Sequence, residues 1–330
     1  MEVQESEGEA ASALWDFPYS FTQDGRLLHR ETRESFAFRF RRGAAREAEC
    51  RYRALWNCIT QHVYCLLEER CRLCRVRLPA APGDPEGGAL IFTSPRAMEG
   101  PGTLLVLIQD QGMVRAGQWS WRAIARDGLD RGSQIPYVER ALKENWGMVI
   151  MNPNENTGEA GLGASPEEHV LRVWDGCLSG RAAGRVAVVT HGYGGVAFVD
   201  LLLRRLQEVQ RQVCAVAFLD SSHNLWHQPL GVAGREWLRA HSRQWVLSSK
   251  PLNRPVGSLK AACFQLSAGT QCHEAAPAVC MDSVFRFFVK AMRARPTPTP
   301  FDIVTRSRSQ GQGNPSGGAT GPRDVNGNKM

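Results

Sequence analysis

The sequence predicts an α/β fold in which helices cover both faces of a mostly parallel β-sheet. Three observations carry this prediction. Between residues 89 and 294, short apolar runs alternate with segments of helical periodicity, which is the order of elements in a parallel sheet with helical crossovers. Several of the runs are continuous, as strands buried on both faces require. One run, Val186–Thr190, leads through a glycine-rich turn directly into a helical segment.

The bulk composition is that of a globular protein with a basic surface. The chain has 330 residues, of which 43% are hydrophobic, enough for a sizeable buried core. A formal net charge of +7 favours acidic partners and permits contact with RNA. The N-terminus is acidic, and no run of about 18 apolar residues, as a membrane span needs, occurs. We therefore expect an intracellular, soluble protein that does not bind membranes.

Changes in composition divide the chain into predicted segments. Residues 1–13 form a disordered acidic N-terminus, 14–78 a hairpin and a long helix, 79–88 a linker rich in Pro and Gly, 89–294 the main α/β domain, and 295–330 a disordered tail. Asp24-Gly25 predicts the hairpin turn, and a two-residue alternation predicts a strand through Phe36, Phe38 and Phe40. Apolar residues at three- and four-residue steps predict a helix over residues 44–73, packed on the main domain.

Strands and helices alternate through the main domain. The predicted strands are Ala89–Thr93, Thr103–Ile108, Met148–Asn152, Val186–Thr190, Val213–Leu219 and Cys263–Ser267. The predicted helices are Ile135–Trp146, one opened by the capping box Ser165–Glu168, Gly195–Gln210 and Ala278–Ala294. Because the loops that follow parallel strands gather at one edge of the sheet, side chains in those loops are the candidates for a site.

Ten cysteines raise the questions of disulfides and of metal binding. Half of them lie in or beside the long predicted helix, where most pairs have poor disulfide geometry, so we expect reduced thiols. Cys71 and Cys74 form a C-x-x-C without a second pair at zinc-finger spacing. Gly194 and Gly195 belong to neither of the glycine-rich phosphate-binding motifs. The sequence therefore predicts neither a metal nor a cofactor.

The turn after Val186–Thr190 has the pattern of a nucleophile elbow. In α/β-hydrolases, a small-x-Ser-x-small sequence holds the nucleophile exposed between a strand and a helix. Thr190 and Gly194 provide the small flanking residues, but Gly192 occupies the nucleophile position. Glycine has no side-chain atom that can attack a carbonyl carbon. The sequence thus predicts an α/β-hydrolase-like fold whose elbow lacks its nucleophile.

Two later residues stand where an α/β-hydrolase has its acid and its base. Asp220 follows the strand Val213–Leu219, and His273 lies just before the last helix. With serine at position 192 they would be the orienting acid and the general base. The structural alternative is that Asp220 caps a helix or a turn and His273 satisfies a buried hydrogen bond. We predict no catalytic residue, and Gly192, Asp220 and His273 are vestigial triad positions.

The loop that would complete an oxyanion hole is also degenerate. It corresponds to Gln109-Asp110-Gln111-Gly112, where a carboxylate would repel a developing oxyanion. A weak esterase that uses Asp220 and His273 with an unidentified nucleophile is the alternative hypothesis. Ser221 and Ser222 lie off the elbow turn and are poor candidates for that nucleophile.

Two further polar segments adjoin the same predicted edge of the sheet. Asn152–Asn156 follows a strand, and we expect a turn in which asparagine side chains bond their own backbone. His223 and His227 are four residues apart, but the glutamate of a zinc motif is missing between them. Packing and loop hydrogen bonds are the expected uses of both segments.

Several longer sequence words carry a resemblance to one family. They are V-R-A-G-Q-W, N-P-N-E-N, S-P-E-E-H, D-S-S-H-N-L-W-H-Q and S-A-G-T, which begin at Val114, Asn152, Ser165, Asp220 and Ser267. In this order, over residues 15–290, they look like the argonaute-binding-protein-two (Arb-two) family of cotranscriptional regulators. The resemblance implies an α/β-hydrolase-like domain in nuclear proteins associated with argonaute, small interfering RNA, heterochromatin formation and control of splicing.

The chain departs from the family pattern at informative places. Members commonly carry His-Gly in place of Gln109-Asp110, and His-Ser-Tyr-Gly-Gly in place of residues 191–195. Some carry a long basic insertion where this chain has only residues 157–164. We therefore expect a non-catalytic scaffold in RNA silencing and gene regulation, in the nucleus or alternatively in the cytoplasm. Its expected partners are argonaute-type, chromatin or splicing proteins, and RNA that it contacts directly or through argonaute.

Overall fold

The computed structural model describes residues 18–38, 45–78, 90–95, 97, 102–155, 165–180, 185–257 and 263–293. The predicted acidic N-terminus, linker and tail, residues 1–13, 79–88 and 295–330, lie outside these residues. The described residues up to Met292 belong to one compact unit. The boundaries of the predicted segments therefore stay predictions.

A central β-sheet confirms the predicted fold class. The strands are β1 (Tyr19–Phe21), β2 (Leu27–His29), β3 (Cys74–Arg77), β4 (Leu90–Thr93), β5 (Leu104–Ile108), β6 (Gly147–Ile150), β7 (Val186–His191), β8 (Val213–Leu219), β9 (Ser242–Val246) and β10 (Phe264–Ser267). Eight of them form the sheet β10-β9-β8-β7-β5-β6-β4-β3. The pairs from β10 to β6 are parallel, whereas β4 and β3 each pair antiparallel with their neighbours.

Helices cover both faces of this sheet. They are α1 (Ala45–Cys65), α2 (Trp121–Asp127), α3 (Leu129–Gly132), α4 (Ile135–Lys143), α5 (Pro166–Val173), α6 (Gly194–Arg204), α7 (Leu206–Gln212), α8 (Val232–His241) and α9 (Ala276–Arg293). Ala187 and Val189 of β7 join a core cluster with α1, α4 and α9. Val186 and Val188 join a second cluster with α5 to α8 on the opposite face. The central strands are thus buried on both sides, as their continuous apolar sequences require. No helix in the described part of the chain is long and apolar enough to cross a membrane.

The N-terminal hairpin and helix differ in part from the sequence prediction. The hairpin forms around Asp24-Gly25, with Tyr19 paired to His29. Phe36 is buried and Phe38 packs at the edge of the core, but neither lies in a strand, and Phe40 lies outside the described residues. Aromatic packing explains the alternation, because the Phe36 and Phe38 rings contact each other and the ring of Tyr52.

The helix predicted over residues 44–73 ends at Arg70 in the structure, and the strand that follows it is not predicted by the sequence. α1 continues as a π-helical turn, Leu66–Arg70, and the chain then enters β3. β3 pairs with β4, so the N-terminal segment supplies the edge strand of the main sheet. Sequence analysis also missed β9, α2, α3 and α8, which are short elements whose polar residues obscure their periodicity.

Candidate functional site

The turn between β7 and α6 is as tight as an elbow needs. β7 ends at His191 and α6 begins at Gly194, and Gly192 between them has a φ of +51°, in the left-handed region. A Cβ atom at Gly194 would lie 2.6 Å from the carbonyl oxygen of Ile108. A Cβ atom at Gly192 would overlap the carboxyl group of Asp110. The space that a nucleophile side chain would need at position 192 is therefore filled by Asp110.

The structure brings Asp220 and His273 together at the C-terminal edge of the sheet. Asp220 follows β8, and His273 opens a 3₁₀ turn directly before α9. The Nδ1 atom of His273 lies 2.6 Å from Oδ2 of Asp220. This is the relation of an orienting carboxylate to an imidazole base.

Asp110 is the third member of this group, and sequence analysis missed it as a partner. Its Oδ2 atom lies 2.9 Å from Nε2 of His273, on the side of the ring that would face a nucleophile. Its Oδ1 atom accepts hydrogen bonds from the backbone N–H groups of Tyr193 (2.6 Å) and Gln111 (2.8 Å). In a hydrolase, the N–H after the nucleophile and one from this loop bind the oxyanion. In this chain both N–H groups bind its own carboxylate.

The charges of the three side chains stabilise one another. Hydrogen bonds to Asp110 and Asp220 raise the pKa of His273 from 6.5 to about 10, although burial acts in the opposite direction. Burial opposes ionisation of Asp110, but the hydrogen bonds from His273 and from the Tyr193 N–H outweigh it and hold the pKa of Asp110 below its usual 3.8. At neutral pH, His273 is therefore an imidazolium that donates from both nitrogens. A protonated imidazole cannot act as a general base.

The protonated state of His273 should make stability fall at alkaline pH. Its contribution to the free energy of unfolding is complete below pH 6.5 and is lost as the pH rises through about 10. The His273 side chain is 37% exposed, so solvent screening reduces this contribution, and we expect about 1–2 kcal/mol. Urea unfolding of the unaltered chain and of His273→Gln measures it. The stability difference between them should shrink between roughly pH 6 and pH 11, and a constant difference would count against the imidazolium.

His191 is neutral and packs against the ring of His273. It is fully buried, and burial lowers its pKa to about 4. Its Nε2 atom lies 3.1 Å from the carbonyl oxygen of His273, so the nitrogen must carry a proton and donate it. The two imidazole rings stack with centroids 4.1 Å apart. The last residue of β7 thus fixes the ring of His273 from one face.

Asp110, His191 and His273 are also the described residues whose donor atoms could hold a metal ion. Their donor atoms lie within 4.8 Å of one another. The two rings are stacked with an interplanar angle of 22°, and in-plane lone pairs of nearly parallel rings do not converge on one ion. The ion pair between Asp110 and His273 accounts for the same geometry. The absence of a metal remains a prediction.

Asn152 connects three of the segments that carry the family resemblance, and it does so inside the core. Its Oδ1 atom accepts from the backbone N–H of Ala116, and its own N–H donates to Nε2 of His169. Burial lowers the pKa of His169 to about 3, which keeps that nitrogen free to accept. The sequence predicts that these asparagines bond their own backbone; the described side-chain bonds of Asn152 and Asn154 also run to Ala116, Asp110 and Val114, and Asn156 lies outside the described residues. These bonds fasten the loop after β5, which carries Asp110, to the end of β6.

Asn154 holds that loop most directly. It is 1% exposed, and its Nδ2 atom donates to the carbonyl oxygens of Asp110 (2.7 Å) and Val114 (3.0 Å). Asn154→Ala should lower the free energy of unfolding by about 2 kcal/mol, because it leaves two carbonyl groups without these donors in a buried place. Thermal or urea unfolding measures this, with the exposed Asn224→Ala as the control. An equal loss of unfolding free energy in both variants would show that the side chain of Asn154 does not hold this loop in place.

The remaining polar candidates do not join the group around His273. Ser221 Oγ lies 2.8 Å from Nδ1 of His223, and Nε2 of His223 lies 3.7 Å from the thiol of the buried Cys263. Burial lowers the pKa of His223 to about 4, so this histidine is neutral. Ser222 and His227 are exposed. All ten cysteines are free, as the sequence predicts.

Comparison with known proteins agrees with the family resemblance that the sequence motifs indicate. A family model described as the Arb2 domain matches residues 11–164 and 159–252. The chain belongs to the Arb2 domain family. The cotranscriptional regulator ARB2A homolog of Gallus gallus is 38% identical over 350 residues, which cover 89% of this chain and 84% of that protein. Cotranscriptional regulator ARB2A of Homo sapiens is 36% identical and covers the same shares of the two chains.

A solved structure supports the fold of this Arb2 domain. A histone deacetylase from Saccharomyces cerevisiae aligns with a TM-score of 0.51 over 72% of this chain and 97% of that chain. The sequence identity is 14%, so the likeness concerns the fold alone. It agrees with the mostly parallel sheet covered by helices that this chain forms.

Proposed function

We propose that this chain is a non-catalytic Arb2 protein that acts as a binding scaffold in cotranscriptional gene regulation in the nucleus. The finer parts of the proposal are contacts with argonaute-type, chromatin or splicing proteins, and a role in siRNA-linked silencing, heterochromatin formation or alternative splicing. The observation that carries the non-catalytic part is the Asp110 carboxylate, which fills the nucleophile space and accepts the Tyr193 and Gln111 N–H groups.

Acyl transfer needs three things that this geometry opposes. It needs a nucleophile at the elbow, and position 192 is glycine. It needs a neutral imidazole, and His273 is protonated at neutral pH because its pKa is about 10. It needs free oxyanion donors, and both N–H groups bind Asp110. The esterase alternative must therefore displace Asp110 before any substrate can bind.

The names of the relatives support the regulatory part of the proposal. Proteins 38% and 36% identical to this chain are named cotranscriptional regulators. A basic chain with a net charge of +7 suits partners in chromatin or ribonucleoprotein. Loss of catalytic function is compatible with such a role, because a scaffold needs a stable fold and a surface rather than a reactive atom.

Affinity purification of the full chain from nuclear and cytoplasmic fractions tests the proposal. We expect transcription, chromatin or splicing proteins, with argonaute among them, in the nuclear sample. Ribonuclease treatment before elution separates direct protein contacts from those that RNA bridges. Recovery of the same partners with His273→Gln is expected, since the proposal needs no base. A purification that yields none of these protein classes, or that depends on His273, would contradict it.

Direct RNA contact is tested separately with the purified chain. If phosphates on RNA supply the binding energy, the affinity for a single-stranded RNA should fall steeply as the salt concentration rises. An affinity that does not change with salt would remove direct RNA contact from the proposal and leave the protein partners.

A further inference from the structure

A cleft of about 410 Å³ lies beside the group around His273. It is lined by Arg26, Ala123, Arg126, Asp127, Arg131, Glu274 and Ala275. Its walls come from three places in the chain: the start of β2, the segment α2–α3, and the 3₁₀ turn that His273 opens. The volume is in the range of small-ligand sites, about 300–1,000 Å³.

Hydrogen bonds from backbone and side-chain groups connect the walls of this cleft. The N–H of Leu129 donates to the carbonyl oxygen of Gly25 at 2.9 Å, which joins the hairpin to the start of α3. Ser120 caps α2 by accepting from the N–H of Ala123, and its hydroxyl donates to Oε1 of Glu274 at 3.0 Å. The three walls are therefore held at set distances before any ligand binds.

The two carboxylates in the lining are already occupied. Asp127 receives two hydrogen bonds from Arg126, with Nε at 3.0 Å and Nη2 at 2.7 Å. Glu274 accepts from Ser120 and lies 3.6 Å from Nη1 of Arg126. The guanidinium of Arg126 is thus shared between two acids, and this trio carries a net charge of −1.

Arg26 and Arg131 are left with free donors. Within the described part of the chain, neither guanidinium makes an ion pair, and the one side-chain hydrogen bond of Arg26 is a long one of 3.5 Å to Ser35. The nearby Asp24 accepts from Thr22 and also interacts electrostatically with Arg26, and Asp130 borders a different cavity. The lining residues therefore carry a net charge of +1, and two of them are planar guanidinium groups with several N–H donors each.

We propose that this cleft binds a phosphomonoester group between Arg26 and Arg131. Guanidinium groups bind phosphate oxygens in pairs, with short, charge-assisted hydrogen bonds, and a dianion can engage two of them at once. The lining contains no aromatic ring on which a base could stack. The phosphate is therefore the recognised group, on a nucleotide or on a phosphorylated serine side chain. A bound phosphate would also tie the hairpin to α3.

Calorimetric titration of the full chain tests this proposal. The probes are inorganic phosphate, AMP and a short phosphoserine peptide, with adenosine and the unphosphorylated peptide as matched controls. We expect saturable binding of the three phosphates and none of the controls. The ester with the higher affinity identifies the source of the group. Binding of adenosine or of the unphosphorylated peptide as tight as that of its phosphate form would overturn the proposal.

Variants assign the binding to the two arginines. Arg26→Gln and Arg131→Gln should each weaken the binding of the phosphate probes about tenfold, because each removes charge-assisted bonds. Arg131→Lys keeps the charge but loses the paired hydrogen-bond geometry. Its affinity for the phosphate probes should lie between that of the unaltered chain and that of Arg131→Gln. Arg122→Gln is the control, since this arginine lies on α2 outside the lining and stacks on Trp121. Equal effects of Arg122→Gln and Arg131→Gln on the affinity would overturn the assignment. If Arg131→Gln fails to fold, the affinity of Arg131→Lys for the phosphate probes is compared with that of Arg122→Gln instead.

Discussion

Gly192→Ser should destabilise the protein by about 3 kcal/mol, which is a large effect for one added side chain. The new Cβ atom would overlap the carboxyl group of Asp110, and the φ of +51° strains any residue other than glycine. To make room, Asp110 must leave the Tyr193 and Gln111 N–H groups and the imidazolium of His273. Urea unfolding measures the loss.

The same substitution should cost much less when Asp110 is glycine. The two positions share one space, so their stability effects should not add, and we expect a coupling of about 2 kcal/mol. Gly192→Ala is a useful companion, because it tests the overlap without a hydroxyl. A Gly192→Ser variant as stable as the unaltered chain would show that position 192 is open, contrary to the geometry of the elbow.

The double variant Asp110→Gly with Gly192→Ser should gain the chemistry that the unaltered chain lacks. The serine stands at the elbow, the Tyr193 and Gln111 N–H groups are released to bind an oxyanion, and His273 keeps Asp220 at 2.6 Å. The pKa of His273 should fall from about 10, because the bond to Asp110 is the largest of its causes. Hydrolysis of a p-nitrophenyl ester should rise at least about 100-fold over the unaltered chain.

Two controls separate triad chemistry from general esterolysis by surface groups. Adding His273→Gln to the double variant should remove the gain, and Asp220→Asn should reduce it strongly because it disturbs the imidazole tautomer. The rate should follow the deprotonation of one group with a pKa below 10, as a general base requires. A gain that survives the loss of His273 would mean that the pocket is not a preserved triad site.

The sheet and most of its helices could be predicted from the sequence because their patterns are strong. β5, β7 and β8 are continuous apolar runs, and the capping box at Ser165 and Glu168 announces α5, where the structure shows both reciprocal hydrogen bonds. β9, Ser242–Val246, has a serine, an arginine and a glutamine among five residues and gives no such signal. Its pairing with β8 and β10 decides its conformation.

The pair Asp220 and His273 could be placed from chain order, but the role of Asp110 could not. Asp110 was predicted to repel an oxyanion, and the structure has it in the place of the oxyanion and of the nucleophile. One signal was present: the resemblance implies that other members commonly have serine where this chain has Gly192 and glycine where it has Asp110. A reciprocal change of that kind indicates that two positions share one space, although only the structure identifies the space.

Reaction of the unaltered full chain with a fluorophosphonate probe shows directly whether the site around His273 holds an activated nucleophile. We expect no adduct by intact mass, since a carboxylate fills the elbow and His273 is an imidazolium. The double variant Asp110→Gly with Gly192→Ser serves as the reactive control, and it should gain one adduct on the side chain introduced at position 192. One adduct on the unaltered chain that His273→Gln removes would show that the site is not inactive, because an activated nucleophile would then lie within reach of that imidazole.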